Sequence, residues 1–138
     1  MPAKDLYHDT VKTALVKDKW VITDDPLKLE VGSRSIYIDL GATQLLGAEK
    51  KGQKIAVEIK SFIAPSPISE LEKALGQYEL YSLILEDEDP ERTLYLAVSD
   101  RIFNDFFSEE IVQRVLRKKN LRVIVFDPSI QEIVQWIP

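Results

Sequence analysis

The chain has 138 residues, 45% of them hydrophobic, and a formal net charge of −5 at pH 7. This length provides one domain with a real core and is short for two, so we expect a single domain over residues 1–138. Cysteine is absent and histidine occurs once, which excludes a disulfide framework and a thiolate metal site and argues against zinc.

The sequence shows neither a basic-then-apolar leader nor an apolar run of membrane-spanning length, so we expect a cytoplasmic protein with no membrane segment. An acidic protein is a poor non-specific DNA binder overall. Much of the negative charge falls in residues 86–91, which we expect to form a solvated loop. Basic residues cluster elsewhere and allow a basic face, although a solvated surface is the simpler interpretation of each cluster: Lys50, Lys51 and Lys54, then Arg114, Arg117, Lys118, Lys119 and Arg122.

Hydrophobic periodicity predicts the elements of the first half of the chain. Apolar residues near the N-terminus recur at helical spacing and give one stripe: Tyr7, Val11, Ala14 and Leu15. Alternating apolar and polar residues between turn residues then indicate strands. The predicted elements are a helix over 4–18, strands over 20–23, 27–31 and 36–40, a short helical turn over 45–48, and a strand over 55–62.

Prolines and apolar runs predict the elements of the second half. Pro65-Ser66-Pro67 should close a strand, and Ser69 with Glu72 forms a candidate capping box for a long helix. Gly76 would let this helix approach the sheet closely. The predicted elements are a helix over 69–86, a buried parallel strand over 93–98, a helix over 103–119 with Ile111 on its inner side, and strands over 121–126 and 130–136.

The order of these elements defines the expected fold class. A run of strands followed by alternating helices and strands predicts an α/β (α+β) fold, in which a central mixed β-sheet is flanked by helices. The sequence contains no phosphate-binding glycine loop, nucleophile elbow or zinc-ligand spacing. It therefore does not favour a P-loop nucleotide hydrolase, a nucleophile-elbow hydrolase or a zinc enzyme.

Charged side chains interrupt two otherwise apolar predicted strands. Asp39 lies in one of them, and Glu58 and Lys60 lie in the next, where they share one face because side chains alternate along a strand. A buried carboxylate is costly unless it is paired or holds a metal ion. Asp39, Glu58 and the Ile59 carbonyl are therefore candidate ligands for Mg²⁺ or Mn²⁺, and Lys60 could orient or help to deprotonate an attacking water.

The simpler interpretation of these charges is a solvated strand face with a cross-strand ion pair, worth at most about 1 kcal/mol. Asp39 on the preceding strand and Gln77 on the following helix favour the metal site instead, with Gln77 positioning Lys60, water or nucleic acid. His8 is expected at the surface, since a lone helical histidine is more often there than in a site. Glu49 is either an outer ligand or an ordinary loop charge, and we favour the loop charge.

The order Asp39, Glu58-Ile59-Lys60 and then Gln77 resembles the PD-(D/E)xK nuclease superfamily, which implies a restriction-endonuclease-like domain. Nearly the whole chain is similar to the XisH family, the excision controlling factors of the fdxN element. The supporting stretches are Ala14-Leu15 to Trp20, Asp25-Pro26-Leu27, Tyr37-Ile38-Asp39-Leu40-Gly41-Ala42, residues 55–62, Pro65-Ser66-Pro67-Ile68-Ser69, Ala74-Leu75-Gly76-Gln77-Tyr78 and Leu94-Tyr95-Leu96-Ala97-Val98.

The resemblance implies developmentally programmed, site-specific DNA excision in cyanobacteria, alongside a recombinase and the companion factor XisI. It also implies that the first helix offers an acid to the site, here Asp9, and it is compatible with a homodimer. Ile38 departs from the proline that often precedes the metal-binding aspartate in the superfamily. Three functions remain open: an endonuclease acting on DNA, a catalytically silent factor that binds the recombinase, DNA or XisI, or a plain interaction domain. The last predicts that Asp39, Glu58 and Lys60 lie scattered in the structure.

Overall fold

The computed structural model describes residues 4–44 and 52–138. Glu49 and the helical turn predicted over 45–48 therefore lie outside the described residues. The helices are α1 (His8–Lys17), α2 (Pro67–Glu88), α3 (Asp100–Asp105) and α4 (Glu110–Lys119). The strands are β1 (Val21–Asp24), β2 (Leu27–Val31), β3 (Arg34–Ile38), β4 (Leu40–Gln44), β5 (Gln53–Ile59), β6 (Arg92–Ser99), β7 (Val123–Asp127) and β8 (Glu132–Ile137).

The main sheet has six strands in the order β1-β4-β5-β6-β7-β8, and β2 pairs with β3 in a separate two-stranded sheet. Strands β5, β6 and β7 are parallel, while the remaining pairs in the main sheet are antiparallel. The predicted mixed sheet flanked by helices is thus confirmed. The buried parallel strand predicted near 93–98 is β6, whose apolar run is covered on both faces, as parallel strands require.

Two hydrophobic clusters cover the two faces of the main sheet. On one face, Val11 and Leu15 of α1 pack against Val57 and Ile59 of β5. On the other face, residues of α2, of α4 and of the β2–β3 hairpin pack against alternate residues of the same strands, including Ala56. Glu58 therefore projects towards the face that α2 covers, as strand alternation predicts.

The strand predicted over 36–40 is strand at every residue except Asp39, where it divides into β3 and β4. Residues up to Ile38 belong to the small sheet, and residues from Leu40 belong to the main sheet. The sequence did not predict strand β4 beyond Leu40, because its small and polar residues show no alternation of apolar and polar side chains. Gly41 in β4 lies close to two side chains, since an added Cβ would lie 2.9 Å from both Arg92 Nη1 and Asp24 Oδ1.

Helix α2 begins two residues earlier than predicted. The Ser66 side chain accepts a hydrogen bond from the backbone N–H of Ser69, and Pro67 takes the first helical position, so the predicted capping box at Ser69 is wrong. The expected close approach at Gly76 is also wrong, since a Cβ there would meet nothing within 4 Å. No helix of the described residues is long and apolar enough to cross a membrane, and the cytoplasmic location stays a prediction.

The acidic run at 86–91 is only partly a solvated loop. Helix α2 continues through Glu88. Asp89 accepts hydrogen bonds from Lys54 Nζ at 2.8 Å and from Arg92 Nε at 2.9 Å. This ion cluster joins the end of α2 to the starts of β5 and β6. Asp89 of the acidic run therefore helps to hold these elements together.

The single helix predicted over 103–119 is two helices, α3 and α4. Ser99 caps α3 by accepting a hydrogen bond from the backbone N–H of Ile102. Between the helices, Phe106 and Phe107 turn into the core, and Phe107 is fully buried. Because α4 is a separate helix, a different set of its residues faces the core from the set predicted. Val112 is fully buried, whereas Ile111, which was predicted to face inward, is 52% exposed.

Alanine substitution of these two neighbours should therefore have very different effects on stability. We expect Val112→Ala to lower the free energy of unfolding by about 2 kcal/mol, because it removes buried methyl groups and leaves a cavity. Ile111→Ala is the matched control and should cost less than about 0.5 kcal/mol. Urea unfolding measures both, and equal losses would contradict the orientation of α4.

Candidate functional site

Asp39 and Glu58 meet where the chain leaves the small sheet and enters the main sheet. Asp39 Oδ2 accepts a hydrogen bond of 2.7 Å from the backbone N–H of Ile59. In return, the backbone N–H of Asp39 donates to Glu58 Oε1 at 3.3 Å. The two carboxyl groups are therefore fixed side by side at the end of β5, as the sequence predicts.

Lys60 follows the last residue of β5 and stays on its predicted face. Its backbone N–H donates to the Ala97 carbonyl at 3.1 Å, which extends the pairing with β6 by one step. Its Nζ lies 3.6 Å from Glu58 Oε2, and its side chain is 19% exposed. The structure thus brings an acid, a second acid and a lysine together in a half-enclosed position.

A cavity of about 210 Å³ opens beside these three side chains. Gln77 and Tyr81 reach it from consecutive turns of α2, and Tyr37 and Asp5 complete the lining with the Ile59 backbone. Gln77 Oε1 is buried and has no hydrogen-bond partner among the described residues. An unpaired buried amide oxygen is costly, and it marks the cavity as a place that would accept a donor or a cation.

Burial makes negative charge costly at this cavity. Loss of hydration raises the pKa of Glu58 to about 8, the nearby Asp39 charge adds to this rise, and Lys60 opposes it. Burial likewise raises the pKa of Asp39 against the hydrogen bond from Ile59. Burial, followed by the two carboxylates, raises the pKa of Tyr81 to about 12. The site therefore favours any bound positive charge.

The acid that the N-terminal segment brings to the cavity is Asp5 and not the predicted Asp9. Asp9 is exposed on α1 and does not line the cavity. Asp5 takes that place, and its Oδ2 accepts a hydrogen bond of 3.1 Å from the backbone N–H of Ser61. No sequence signal marks Asp5, since it lies outside the apolar stripe of the predicted helix and belongs to no periodic pattern.

The expectation that His8 lies at the surface is wrong. His8 is 4% exposed, and its Nε2 lies 2.6 Å from Asp25 Oδ1. Lys12 Nζ donates to the other oxygen of Asp25 at 2.8 Å. Burial opposes ionisation of Asp25, but the hydrogen bonds from Lys12 and His8 lower its pKa overall. This cluster fastens α1 to the turn after β1.

The described residues of the predicted basic clusters do not line the cavity. Lys60 is the one cationic residue among the described lining residues. Lys54 pairs with Asp89, and Arg122 lines a different cavity together with Arg92. Lys50 and Lys51 lie outside the described residues. The immediate surroundings of the site are therefore acidic.

The donor set suits some ions better than others. No group of three or more His, Asp or Glu side chains is arranged to hold a metal within the described residues. Mg²⁺ commonly uses only one or two carboxylates and completes its shell with water and substrate phosphate. Asp39 and Glu58 fit that requirement, and Ile59, whose backbone N–H donates to Asp39, lines the same cavity.

The fold and site define a mixed α/β domain that carries an acid, acid, lysine centre at one end of its sheet. The model of the family described as XisH protein matches residues 1–134. The chain therefore belongs to the XisH family. Among curated proteins, no significant match to the chain is found.

Solved structures of the family are similar to this chain over nearly its whole length. An XisH family protein from Nostoc punctiforme PCC 73102 is 38% identical, with a TM-score of 0.86, and the match covers 97% of this chain and 100% of that one. A fdxN element excision controlling factor protein from Anabaena variabilis is 40% identical, with a TM-score of 0.87 and coverage of 98% and 100%.

Glu58→Gln should stabilise the metal-free protein at alkaline pH. The pKa of Glu58 is about 8 in the folded state and 4.5 for the free group, so between these values the folded state binds more protons. The free energy of unfolding of the wild type should therefore fall as pH rises from 4.5 to 8. At pH 8 the variant should be more stable by on the order of 3 kcal/mol.

Urea unfolding in EDTA at pH 5 to 8 measures this difference. Glu72→Gln, on the exposed side of α2, is the matched control and should change stability little at any pH. A Glu58→Gln advantage that does not grow with pH would contradict the assigned electrostatics.

Proposed function

We propose that this protein is a controlling factor in site-specific excision of a DNA element and that its site hydrolyses DNA phosphodiester bonds with Mg²⁺ or Mn²⁺. The observation that carries the hydrolytic part is the buried Asp39–Glu58 pair with Lys60 beside it. Both carboxyl groups have raised pKa values, and a divalent cation would relieve that cost.

The role in excision rests on the family. The Anabaena variabilis relative is a fdxN element excision controlling factor, and the present chain is similar to it over 98% of its length. We infer the same role here, acting on DNA in the cytoplasm alongside a site-specific recombinase and an XisI-like companion protein.

Asp39, Glu58 and the Ile59 carbonyl would hold the cation. These are hard oxygen donors, which suit Mg²⁺ or Mn²⁺, and the absence of thiol or clustered histidine ligands among the described residues disfavours zinc. A bound divalent cation would supply Lewis-acid polarisation of a phosphoryl oxygen and acidify water.

Side chains of this protein would position the attacking water and stabilise the developing charge. Lys60 Nζ, held near Glu58 Oε2, can donate to an attacking water or to a phosphoryl oxygen and stabilise the charge that develops there. Gln77 Oε1, which has no partner among the described residues, can accept a hydrogen bond from that water or from Lys60. Tyr81 is buried and lines the cavity, where it would shield a bound water from bulk solvent.

The order Asp39, Glu58-Ile59-Lys60 and Gln77 supports placing this site with PD-(D/E)xK nucleases. The mixed sheet with helices on both faces agrees with that superfamily's core. Ile38 replaces its frequent proline, and Asp5 rather than Asp9 is the N-terminal acid near the cavity.

A second function, a silent accessory factor, is favoured by the charge around the site. The cavity has three acids and one lysine among its described lining residues, and the chain has a net charge of −5. Such surroundings repel a DNA backbone unless cations or a partner offset them. This protein would then bind a recombinase or an XisI-like companion without cutting DNA.

Cleavage of supercoiled plasmid with Mg²⁺ or Mn²⁺ separates the two functions. We expect nicking by the wild type and a rate about 10²- to 10³-fold lower for Lys60→Gln, which removes a donor to the developing charge. Asp39→Asn should abolish nicking, because it removes a carboxylate ligand. Asp9→Asn, exposed on α1, is the matched control and should nick at the wild-type rate.

Calorimetric titration with Mn²⁺ gives a readout that does not depend on cleavage. Lys60→Gln should still bind the ion, whereas Asp39→Asn should not. Nicking that persists unchanged in both variants would refute the assigned site. Absence of both ion binding and nicking in the wild type, together with a stable complex with a partner, would select the silent factor instead.

A further inference from the structure

A groove of about 830 Å³ lies at the carboxyl ends of the three parallel strands, and we name it the carboxyl-end groove. Its walls come from the segments that follow β5, β6 and β7, namely residues 61–63, 99–102 and 127–129. In open α/β sheets, ligands bind in the crevice outside the carboxyl ends of the strands. The groove therefore occupies the usual position of a binding surface in this kind of sheet.

The floor of the carboxyl-end groove is apolar. Phe62 and Phe106 are buried beneath it, with ring centroids 5.8 Å apart. Ile63 stands at its wall with 71% of its surface exposed. A single exposed isoleucine is ordinary. Beside an aromatic floor in a concave surface, however, it offers contact to an apolar side chain of another molecule.

The rim of the carboxyl-end groove is strongly acidic. Among the described residues, four carboxylates line it against one guanidinium, which gives a net charge of −3: Asp100, Asp105, Glu109 and Asp127 against Arg101. Arg101 Nε already lies 3.9 Å from Asp105 Oδ2. Hydrogen bonds from Ser129 lower the pKa of Asp127 and keep it ionised. A cation would find partners here, and a DNA backbone would be repelled.

We propose that the carboxyl-end groove docks a basic segment of a partner protein, in which lysine or arginine side chains flank an apolar residue. The apolar residue would contact Ile63 and the aromatic floor, while the basic residues would pair with the acidic rim. A simple polyamine would satisfy the rim but would place no branched apolar group on the floor.

The carboxyl-end groove adjoins the candidate metal site. Ser61 lines the groove, and its backbone N–H donates to Asp5, which lines the metal-site cavity. A docked segment would thus lie one residue from Lys60. Docking needs neither the metal nor Asp39, so it goes beyond the proposed hydrolysis and can be tested apart from it.

Nuclear magnetic resonance titration of the ¹⁵N-labelled protein with a synthetic amphipathic peptide of leucine and lysine tests this docking. We expect saturable shifts of the Ile63, Ile102 and Glu109 amides. The triple variant Asp100→Asn, Asp105→Asn, Glu109→Gln should bind about tenfold more weakly, since charge pairs at a docking surface contribute at this level. The single variant Glu109→Lys, a charge reversal, should also weaken binding.

The matched control is a triple variant of another acidic surface, Glu86→Gln, Asp87→Asn, Glu88→Gln at the end of α2, which should bind like the wild type. The titration is run in EDTA, so that docking is measured without a divalent cation in the candidate metal site. Equal weakening in both triple variants, or shifts spread over the whole surface, would overturn the proposal. So would spermidine binding as tightly as the peptide, or duplex DNA producing the same shifts.

Discussion

The hydrogen bonds between Asp39 and the end of β5 hold together the part of the fold on which the site depends. The Asp39 carboxylate accepts from the backbone of Ile59, and the Asp39 backbone donates to the carboxyl of Glu58. Because Asp39 lies between β3 and β4, these bonds fix where the chain crosses from the small sheet to the main sheet. The same atoms set the spacing of the two carboxyl groups. The same small network of hydrogen bonds therefore fixes both the crossing between the sheets and the geometry of the candidate site.

This network is electrostatically unfavourable by itself. Burial raises the pKa of both carboxyl groups, and Lys60 offsets only part of that cost for Glu58. A buried ion pair seldom repays its desolvation, so stability alone does not account for the arrangement. Perturbed pairs of this kind concentrate where proteins bind ions or perform chemistry. The unpartnered oxygen of Gln77 beside them points the same way.

Sequence patterns predicted the parts that follow a simple period. Glu58 and Lys60 share a face because strand side chains alternate, and β6 is a continuous apolar run because both its faces are covered. The break at Asp39 was not predictable from apolar alternation, which runs unbroken through Leu40. Nor was the split between α3 and α4, since Phe106 and its neighbours also satisfy a helical period. Asp5 joins the cavity only through tertiary contacts, which no local pattern records.

Acidic residues outnumber basic residues on two surfaces at the same end of the sheet. Among the described lining residues, the candidate metal-site cavity has three acids and one lysine, and the carboxyl-end groove has four acids and one arginine. Both surfaces therefore favour cationic partners, and an XisH family protein that acts on DNA would need an ion or a basic partner at this end.

The most direct test of the central assignment is a crystal structure grown with Mn²⁺ and measured at the manganese absorption edge. An anomalous peak bonded to carboxylate oxygens of Asp39 and Glu58 at about 2.1 Å is the expected result. A structure with no peak between these two residues at saturating Mn²⁺ would contradict it.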